Sequence, residues 1–449
     1  MVALSRRTLL QLSAFGVAAQ MFPFQALNAF AQSTGDYKAL VCVFLFGGND
    51  SDNMVVPTTI PAYDDYFAVR GGVLDHQMSD MLEIGATPHN MYGLTNYGLH
   101  PSMGALHSLS SHLAVVANVG TLVEPMTKAE YLDRSKQRPQ SLFSHSDQQE
   151  QMQNASPIMP SSSGWGGRMI DQLQLLGLNL NQTIPAGLSM SGNNVFLLGD
   201  QTQPVSLGGG ASILLDDTGE SLAGPLQQTL GFDTGFGLMQ AANATLSQGI
   251  GVGQAISQAL ANSTVQTPFP NTSIGRQLRQ VAQLIEARIN LGMGRQIFFC
   301  STGGYDTHSD QLPRHASILR DLSDAMAAFY LATEELTVQN EVTTFTESDF
   351  GRTFQPNPTA GTDHAWGSYQ LVLGGAVTNG LYGTFQTLQL DGPDSTDSRG
   401  RWIPTTGLDQ YGATLARWFG VDDLQMASVF PNINNFPHSN VGFMDPPLL

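Results

Sequence analysis

Four stretches of the chain carry unbroken apolar or β-branched residues and stop abruptly at glycines or acids. Residues 39–46 (ALVCVFLF) run into Gly47-Gly48-Asn49-Asp50, and 113–119 (LAVVANV) into Gly120. The run 296–300 (QIFFC) leads to Gly303-Gly304-Tyr305-Asp306-Thr307-His308, and 341–346 (EVTTFT) to Glu347-Ser348-Asp349-Phe350-Gly351-Arg352. Such runs predict strands buried on both faces, the pattern of a parallel sheet. Helical spacing lies between them. Met103, Leu106 and Leu109 predict a helix from Leu99-His100-Pro101 to Ser111. Leu278, Val281, Leu284, Ile285 and Ile289 predict another over 273–291. Leu319, Leu322, Ala325, Met326 and Phe329 predict a long one over 313–336, with Pro313 in its first turn. Tyr411, Leu415, Trp418 and Phe419 mark a helix from Asp409. Strands alternating with helices predict an α/β, doubly wound and mainly parallel sheet.

Residues 154–272 break this rhythm. They are rich in Gly, Ser, Asn, Gln and Thr, with one clear helical pattern beginning at Trp165 (Met169, Leu173, Leu176). The expectation is a single domain over 32–449 with 154–272 as a loop-rich inserted cap, covering the site or binding a partner. A glycine-rich apolar piece, 371–376, follows, and the proline-containing residues 430–449 are expected to wrap the surface.

The N-terminus reads as an export signal. Ser5-Arg6-Arg7-Thr8-Leu9-Leu10 opens an apolar stretch, Ala29-Phe30-Ala31 offers a cleavage site, and no acid occurs before Asp36. This is the layout of a twin-arginine signal peptide over 1–31. Gln11, Gln20, Pro23 and Gln25 interrupt the stretch and argue against a membrane anchor. No later segment is long and apolar enough to span a bilayer, so the expected location is periplasmic or secreted.

Composition narrows the partners. Thirty-seven acids face 19 bases, for a formal charge of -18. Such a chain repels phosphate backbones, so nucleic acid is excluded as a partner. A metal ion would offset that charge locally at a substrate site. Cys42 and Cys300 sit inside apolar runs, as buried thiols or as an export-compatible disulfide.

The chemistry gathers after the strands, where open α/β sheets bind ligands. Asp50, Asp306, His308, Asp349, Asp363 and His364 all fall just past glycine-bounded strands. Carboxylate oxygen with imidazole nitrogen suits Zn, Mn or Fe better than Ca. The expected cofactor is a divalent metal, Zn or Mn. Arg352 reads either as a clamp for an anionic group or as a salt-bridge partner of Asp349 or Glu347. The block 141–149 (SLFSHSDQQ) is where a nucleophile is sought, with Ser144 and His145 as catalytic candidates; Ser146 or Asp147 can instead cap the helix that follows. His315 is read as a solvated helix-face residue, and Trp366 as either a sugar platform or a packing residue.

These residues resemble a known family, the exported bacterial proteins grouped as domain-of-unknown-function family 1501. The likeness rests on the Arg-Arg signal, LFGGND (45–50), LHPSM (99–103), GWGGR (164–168), GYDTHSDQ (304–311), SDFGRT (348–353), GTDHAWG (361–367), LVLGGAV (371–377) and LYGTF (381–385). That family is similar to the alkaline phosphatase and sulfatase superfamily. The resemblance implies a three-layer α/β/α sandwich with a metal site at the strand ends. By position, Asp50 would be the first-strand ligand, Asp306 and His308 a second set, Asp349 the ligand after the next strand and His364 the late histidine. The superfamily's phosphatases carry Asp-His where this chain has Asp349-Phe350.

Two functions follow from this reading. One is a metal-dependent hydrolase of phosphate or sulfate esters, with a small anionic ester or a polysaccharide as substrate. The other is a non-catalytic exported protein of the same fold, serving surface assembly or binding polysaccharide or a partner.

Overall fold

A computed structural model describes residues 37–207, apart from 178, 180 and 181, together with 230 and 237–444. The signal peptide expected at 1–31, and residues 208–229 and 231–236 of the expected cap, lie outside the described residues. The strands are β1 (Lys38–Leu45), β2 (Val55–Pro57), β3 (Leu82–His89), β4 (Gly93–Leu99), β5 (Leu113–Gly120), β6 (Gly187–Ser189), β7 (Val205–Ser206), β8 (Arg295–Thr302), β9 (Val342–Ser348), β10 (Ser368–Gly374), β11 (Gly380–Tyr382) and β12 (Thr406–Gly407). The longer helices are α1 (Ala62–Arg70), α2 (His145–Asn154), α3 (Trp165–Leu175), α4 (Gly237–Ala261), α5 (Ser273–Glu286), α6 (Gln311–Glu335) and α7 (Leu408–Phe419).

The main sheet has the order β11-β5-β10-β9-β1-β8-β6-β7, with β12 beside β5. The pairs β9–β1, β1–β8, β8–β6 and β6–β7 are parallel, while β10 runs antiparallel to both β9 and β5. The sheet is thus mainly parallel, as expected, with one reversed strand. Cys42 registers with Phe299 and with Phe345, so these three point to one face. There Trp165 of α3 and Tyr411 of α7 pack on Phe345, at 5.5 and 6.2 Å between ring centres. Alternate residues point the other way, and β1 is buried from Ala39 to Leu45. The mutually packed helices α5 and α6 cover that second face, α5 against β8. This is the three-layer α/β/α arrangement. Cys300 registers with Val43 rather than Cys42, so the two thiols point to opposite faces; both are buried and free.

The structure differs from expectation in several places. The helix expected over 99–111 is broken into short turns around Gly104–His107, because Leu99 belongs to β4. β2, β4 and β3 form a small separate sheet with no counterpart in the sequence reading. Within the segment expected as a cap, α3 packs on the main sheet, and β6 and β7 are strands of it. β6 and β7 have three and two residues, too short for a period-two signal to register.

His315 is not solvated. It lies on the inner face of α6, 1% exposed, with its Nε2 2.9 Å from Asn49 Oδ1. The ring of His100 is 6.0 Å from it, and that of His76 is 4.4 Å from His100. Burial pushes His315 down to about 4 and His100 to about 3, and neighbouring positive charge adds to this: His76 and then Arg70 for His315; His76, His315 and then Arg320 for His100. Asp50 pulls both the other way. Both rings are therefore neutral when folded and titrate near 6.5 when unfolded. The unfolded chain takes up their protons first, so stability is full above pH 6.5 and falls as pH drops below it. The expected loss is about 1.4 kcal/mol per histidine per pH unit between 6.5 and 4.5. Urea midpoints of wild type and His315→Gln across that range check this; the variant should lose about half of the excess slope.

Candidate metal centre

The loops that follow β1, β8 and β9 are tied together by one buried guanidinium. Arg352 is 1% exposed. Its Nη1 donates to Gly47 O at 3.0 Å and to Asp306 Oδ1 at 2.7 Å, its Nε donates to Thr362 Oγ1 at 3.0 Å, and its Nη2 donates to Thr362 O. Gly47 makes the approach possible. Its φ is +116°, and a Cβ there would stand 2.5 Å from Asp306 N. Backbone bridges set Asn49 beside Gly351 and Arg352 beside His364.

Asp306 is then ringed by imidazoles. His308 Nε2 lies 2.9 Å from Asp306 Oδ1, and the Nε2 atoms of His145 and His364 each lie 3.5 Å from it. His308 Nε2 is also 3.1 Å from His364 Nε2. The second nitrogen of every ring is engaged. His145 Nδ1 donates to Asp349 Oδ2 at 2.7 Å, His308 Nδ1 to Asp363 Oδ1 at 2.9 Å, and His364 Nδ1 to the Phe143 carbonyl at 2.8 Å. A neutral imidazole carries one N–H, so each Nε2 presents a lone pair.

Three lone pairs and a carboxylate oxygen therefore converge. His145 Nε2 is buried and has no hydrogen-bond partner. Electron-pair donors this close repel one another. A proton on His308 relieves one contact; a shared metal cation relieves all of them. A carboxylate or carbonyl behind each ring is also how proteins orient metal-binding histidines. His145, Asp306 and His364 each offer a ligand atom within 4.8 Å of the others, and His308 adds a fourth donor beside them. Nitrogen with one carboxylate oxygen fits Zn2+ in four-coordination and also suits Mn2+ or Fe2+.

The local charges suit ligation. Burial holds His364 below its ordinary value, and the charges of His145 and Arg352 add to that, so its lone pair is available. Against the pull of burial, Arg352 keeps the Asp306 carboxyl below its usual range. Asp363 is held at about 2, likewise against burial, by hydrogen bonds from Arg399 and Asn357. His145 is the exception: the hydrogen bond to Asp349 raises it, so a proton competes with a cation for its Nε2.

Of the residues expected to bind metal, Asp306, His308 and His364 come together. Asp349 and Asp363 stand one step back, holding the rings of His145 and His308. Asp50 does not join them. Arg70 grips its carboxylate at 2.7 and 2.9 Å, with both side chains 0% exposed. Arg70 also donates to Asn53 Oδ1, Thr353 O and Phe354 O. An organic cation thus already fills the place at Asp50 where a metal was expected.

The catalytic candidates change roles. His145 stands with Asp306 and His364 as a candidate ligand. The Ser144 hydroxyl donates to Asp147 Oδ2 at 2.5 Å, so the expected nucleophile is engaged at the start of α2. Arg352 pairs with neither Asp349 nor Glu347, and its burial leaves no face for a substrate anion. Trp366 packs: it is 1% exposed and donates to Thr121 O at 3.0 Å.

Sequence reading missed several contributors. Gln149 donates to Asp349 Oδ2 at 2.7 Å and Gly47 N to Asp349 Oδ1 at 3.1 Å. Phe350 walls the centre, its ring 4.8 Å from that of His145 and 5.0 Å from that of His364. The Phe143 carbonyl has no sequence signal at all. Gln149 had one, since it lies four residues after His145 and so shares its helix face.

The family profile described as "Protein of unknown function (DUF1501)" matches residues 37–396. No curated protein matches the chain by sequence. Solved structures with a similar course include the lipoteichoic acid synthase LtaP from Listeria monocytogenes, at 7% identity and TM-score 0.35, covering 82% of this chain and 74% of that one. The C-terminal periplasmic domain of EcEptC from Escherichia coli matches at 10% identity and TM-score 0.34, covering 89% and 88%. The phosphonate monoester hydrolase SpPMH from Silicibacter pomeroyi matches at 8% identity and TM-score 0.35, covering 86% and 74%. Likeness of this size says nothing about substrate.

Asp50→Asn separates the two strand-end carboxylates. Arg70 would lose its counter-charge while buried, at a cost of about 3–5 kcal/mol, and the metal content of the purified protein should stay at the wild-type level. Elemental analysis and denaturant titration of the same samples read both. A fall in metal with little loss of stability would return Asp50 to the ligand set.

Proposed function

We propose that the chain, which belongs to the DUF1501 family, is an exported metal-dependent hydrolase acting on phosphate or sulfate esters. One observation carries the reading. The Nε2 atoms of His145, His308 and His364 converge on Asp306 Oδ1, with each ring's proton held at Nδ1. A divalent cation, Zn2+ or Mn2+, would be held by these four residues. When bound, it supplies Lewis-acid polarisation of an ester oxygen and offsets the charge of an anionic ester.

The chain's own groups prepare the site. Asp349 and Asp363 keep the Nδ1 protons of His145 and His308 in place, and the Phe143 carbonyl keeps that of His364. Arg352 fixes Asp306 and balances its charge. With a divalent cation in place, positive charge outweighs Asp306, Asp349 and Asp363 once Arg352 and Arg399 are included. That local sign favours an anionic substrate in a chain of formal charge -18. The side chains of Asp306 and His308 are each 45% exposed, so the centre opens to solvent and admits an ester borne on a polysaccharide as readily as a small one. The paired arginines at 6 and 7 support twin-arginine export and a periplasmic or secreted location.

A second reading draws on a different observation. The Ser144 hydroxyl is engaged by Asp147, and Arg352 is buried, so neither of these two residues is presented as a free nucleophile or an exposed anion clamp. This favours a metal-holding, non-catalytic protein that binds polysaccharide or a partner, or serves surface assembly.

Metal analysis followed by a panel of aryl phosphates and sulfates distinguishes the two. The hydrolase reading expects bound metal and turnover, both lost together in His145→Ala and His364→Ala. Full metal occupancy without turnover on any ester moves the assignment to the second reading. Wild type that holds no metal after supplementation rejects both. Replacing Arg6 and Arg7 with lysine should strand the protein in the cytoplasm on fractionation.

A further inference from the structure

Two backbone outliers lie just ahead of α2. Ser141 and Phe143 have φ of 48° and 73°. That region is costly for residues other than glycine, and most of all for a bulky ring. Both lie within four residues of His145, the first residue of α2. The Phe143 turn aims its carbonyl at His364 Nδ1, 2.8 Å away. A strained turn therefore sets the tautomer of a ligand carried by a different loop.

Arg401 holds that turn. Its guanidinium carbon stands 4.8 Å from the centre of the Phe143 ring. Its Nε donates to the His364 backbone carbonyl at 2.8 Å, and its Nη1 pairs with Asp397. Arg401 thus touches both limbs of the centre, the turn that leads into His145 and the loop that carries His364. None of its contacts is with a ligand atom.

We propose that Arg401 is a positioning residue of the metal centre, clamping the strained Phe143 turn against the His364 loop so that His145 and His364 both face Asp306. The inference rests on the metal-centre reading above. Stacking of Arg401 on the Phe143 ring is attractive, and that attraction offsets part of the strain at φ 73°. The bond to His364 O fixes that residue's backbone relative to the turn. Without Arg401 the turn relaxes toward negative φ and the Phe143 carbonyl leaves Nδ1. His364 is then free to carry its proton on Nε2, where it cannot ligate.

The test uses the purified full-length protein loaded with Co2+. Affinity is measured by chelator competition, and coordination by the visible absorption of the bound ion. Arg401→Ala is expected to bind about 10–100-fold more weakly with an altered spectrum and unchanged far-ultraviolet circular dichroism. Arg401→Lys should fall between, since lysine keeps the charge but not the planar fork. Phe143→Ala should resemble Arg401→Ala, and the double variant should be no worse than either single one, because both remove the same clamp. Wild-type affinity and spectrum in Arg401→Ala overturn the inference. So does a lowered melting temperature in both Arg401 variants with an unchanged spectrum, which marks a merely structural role. Wild type that binds no Co2+ rejects the centre itself, a separate failure.

Discussion

The site depends on burying a positive charge where three loops meet. A guanidinium taken out of water is costly unless its N–H groups are met. Arg352 meets that condition with Gly47 O, both oxygens offered by Thr362, and Asp306. The same contacts cross-link the ends of β1 and β8 to the loop after β9. Thr362 passes the constraint inward. Its Oγ1 donates to Gln311 Oε1 at 2.6 Å, where Thr307 Oγ1 also donates at 2.9 Å. Gln311 in turn donates to Asp50, the partner of Arg70. An unbroken polar chain thus runs from the half-exposed Asp306 to an arginine deep in the fold. Buried networks of this kind are rigid when every member is satisfied.

The two strand-end carboxylates on that chain have opposite settings. Asp50 and Arg70 are both 0% exposed. A carboxylate so placed needs a permanent counter-charge from the fold itself, because no exchangeable ion can reach it. Burial opposes ionisation of Asp50, but the charge and hydrogen bonds of Arg70 hold its pKa below the ordinary value. Asp306, 45% exposed, receives only one arginine nitrogen and faces three imidazoles. Exposure is what divides them. The same residue type becomes part of the scaffold in one place and a ligand in the other.

The fold was legible where runs were long. The eight residues of β1 and the β-branched β9 announced themselves, as did the amphipathic helices α5 and α6. β6 and β7 were too short to carry a pattern. The meeting of the Asp306, His308 and His364 loops was legible from glycines and acids after strands. Which carboxylate ligates and which merely holds a ring was not, since Asp349 and Asp363 look identical to Asp306 in sequence. Arg70 lies 20 residues beyond Asp50 in the chain, and nothing in that spacing reveals a bidentate pair. His145 sat in a block that drew notice, but adjacency to Ser144 favoured a catalytic role that the geometry does not support. The Phe143 carbonyl and the stacking of Arg401 are backbone and long-range features, visible only once the loops are in place.

Among the described residues there is a second histidine cluster, and the two differ in which ring nitrogen is left facing inward. In the buried group, His100 Nδ1 accepts from Ser102 N–H at 3.0 Å, which puts the ring proton on Nε2. His315 Nε2 donates to Asn49 Oδ1, which leaves the lone pair on Nδ1. One ring therefore carries its free N–H and the other its free lone pair, and neither atom has a hydrogen-bond partner; burial above all keeps both rings neutral. At the strand ends, Asp349, Asp363 and the Phe143 carbonyl are all acceptors, and they fix His145, His308 and His364 in the same tautomer. Identical tautomers aimed at one carboxylate cannot satisfy one another. The element behind each ring, rather than the histidine itself, decides which nitrogen it turns toward its neighbours.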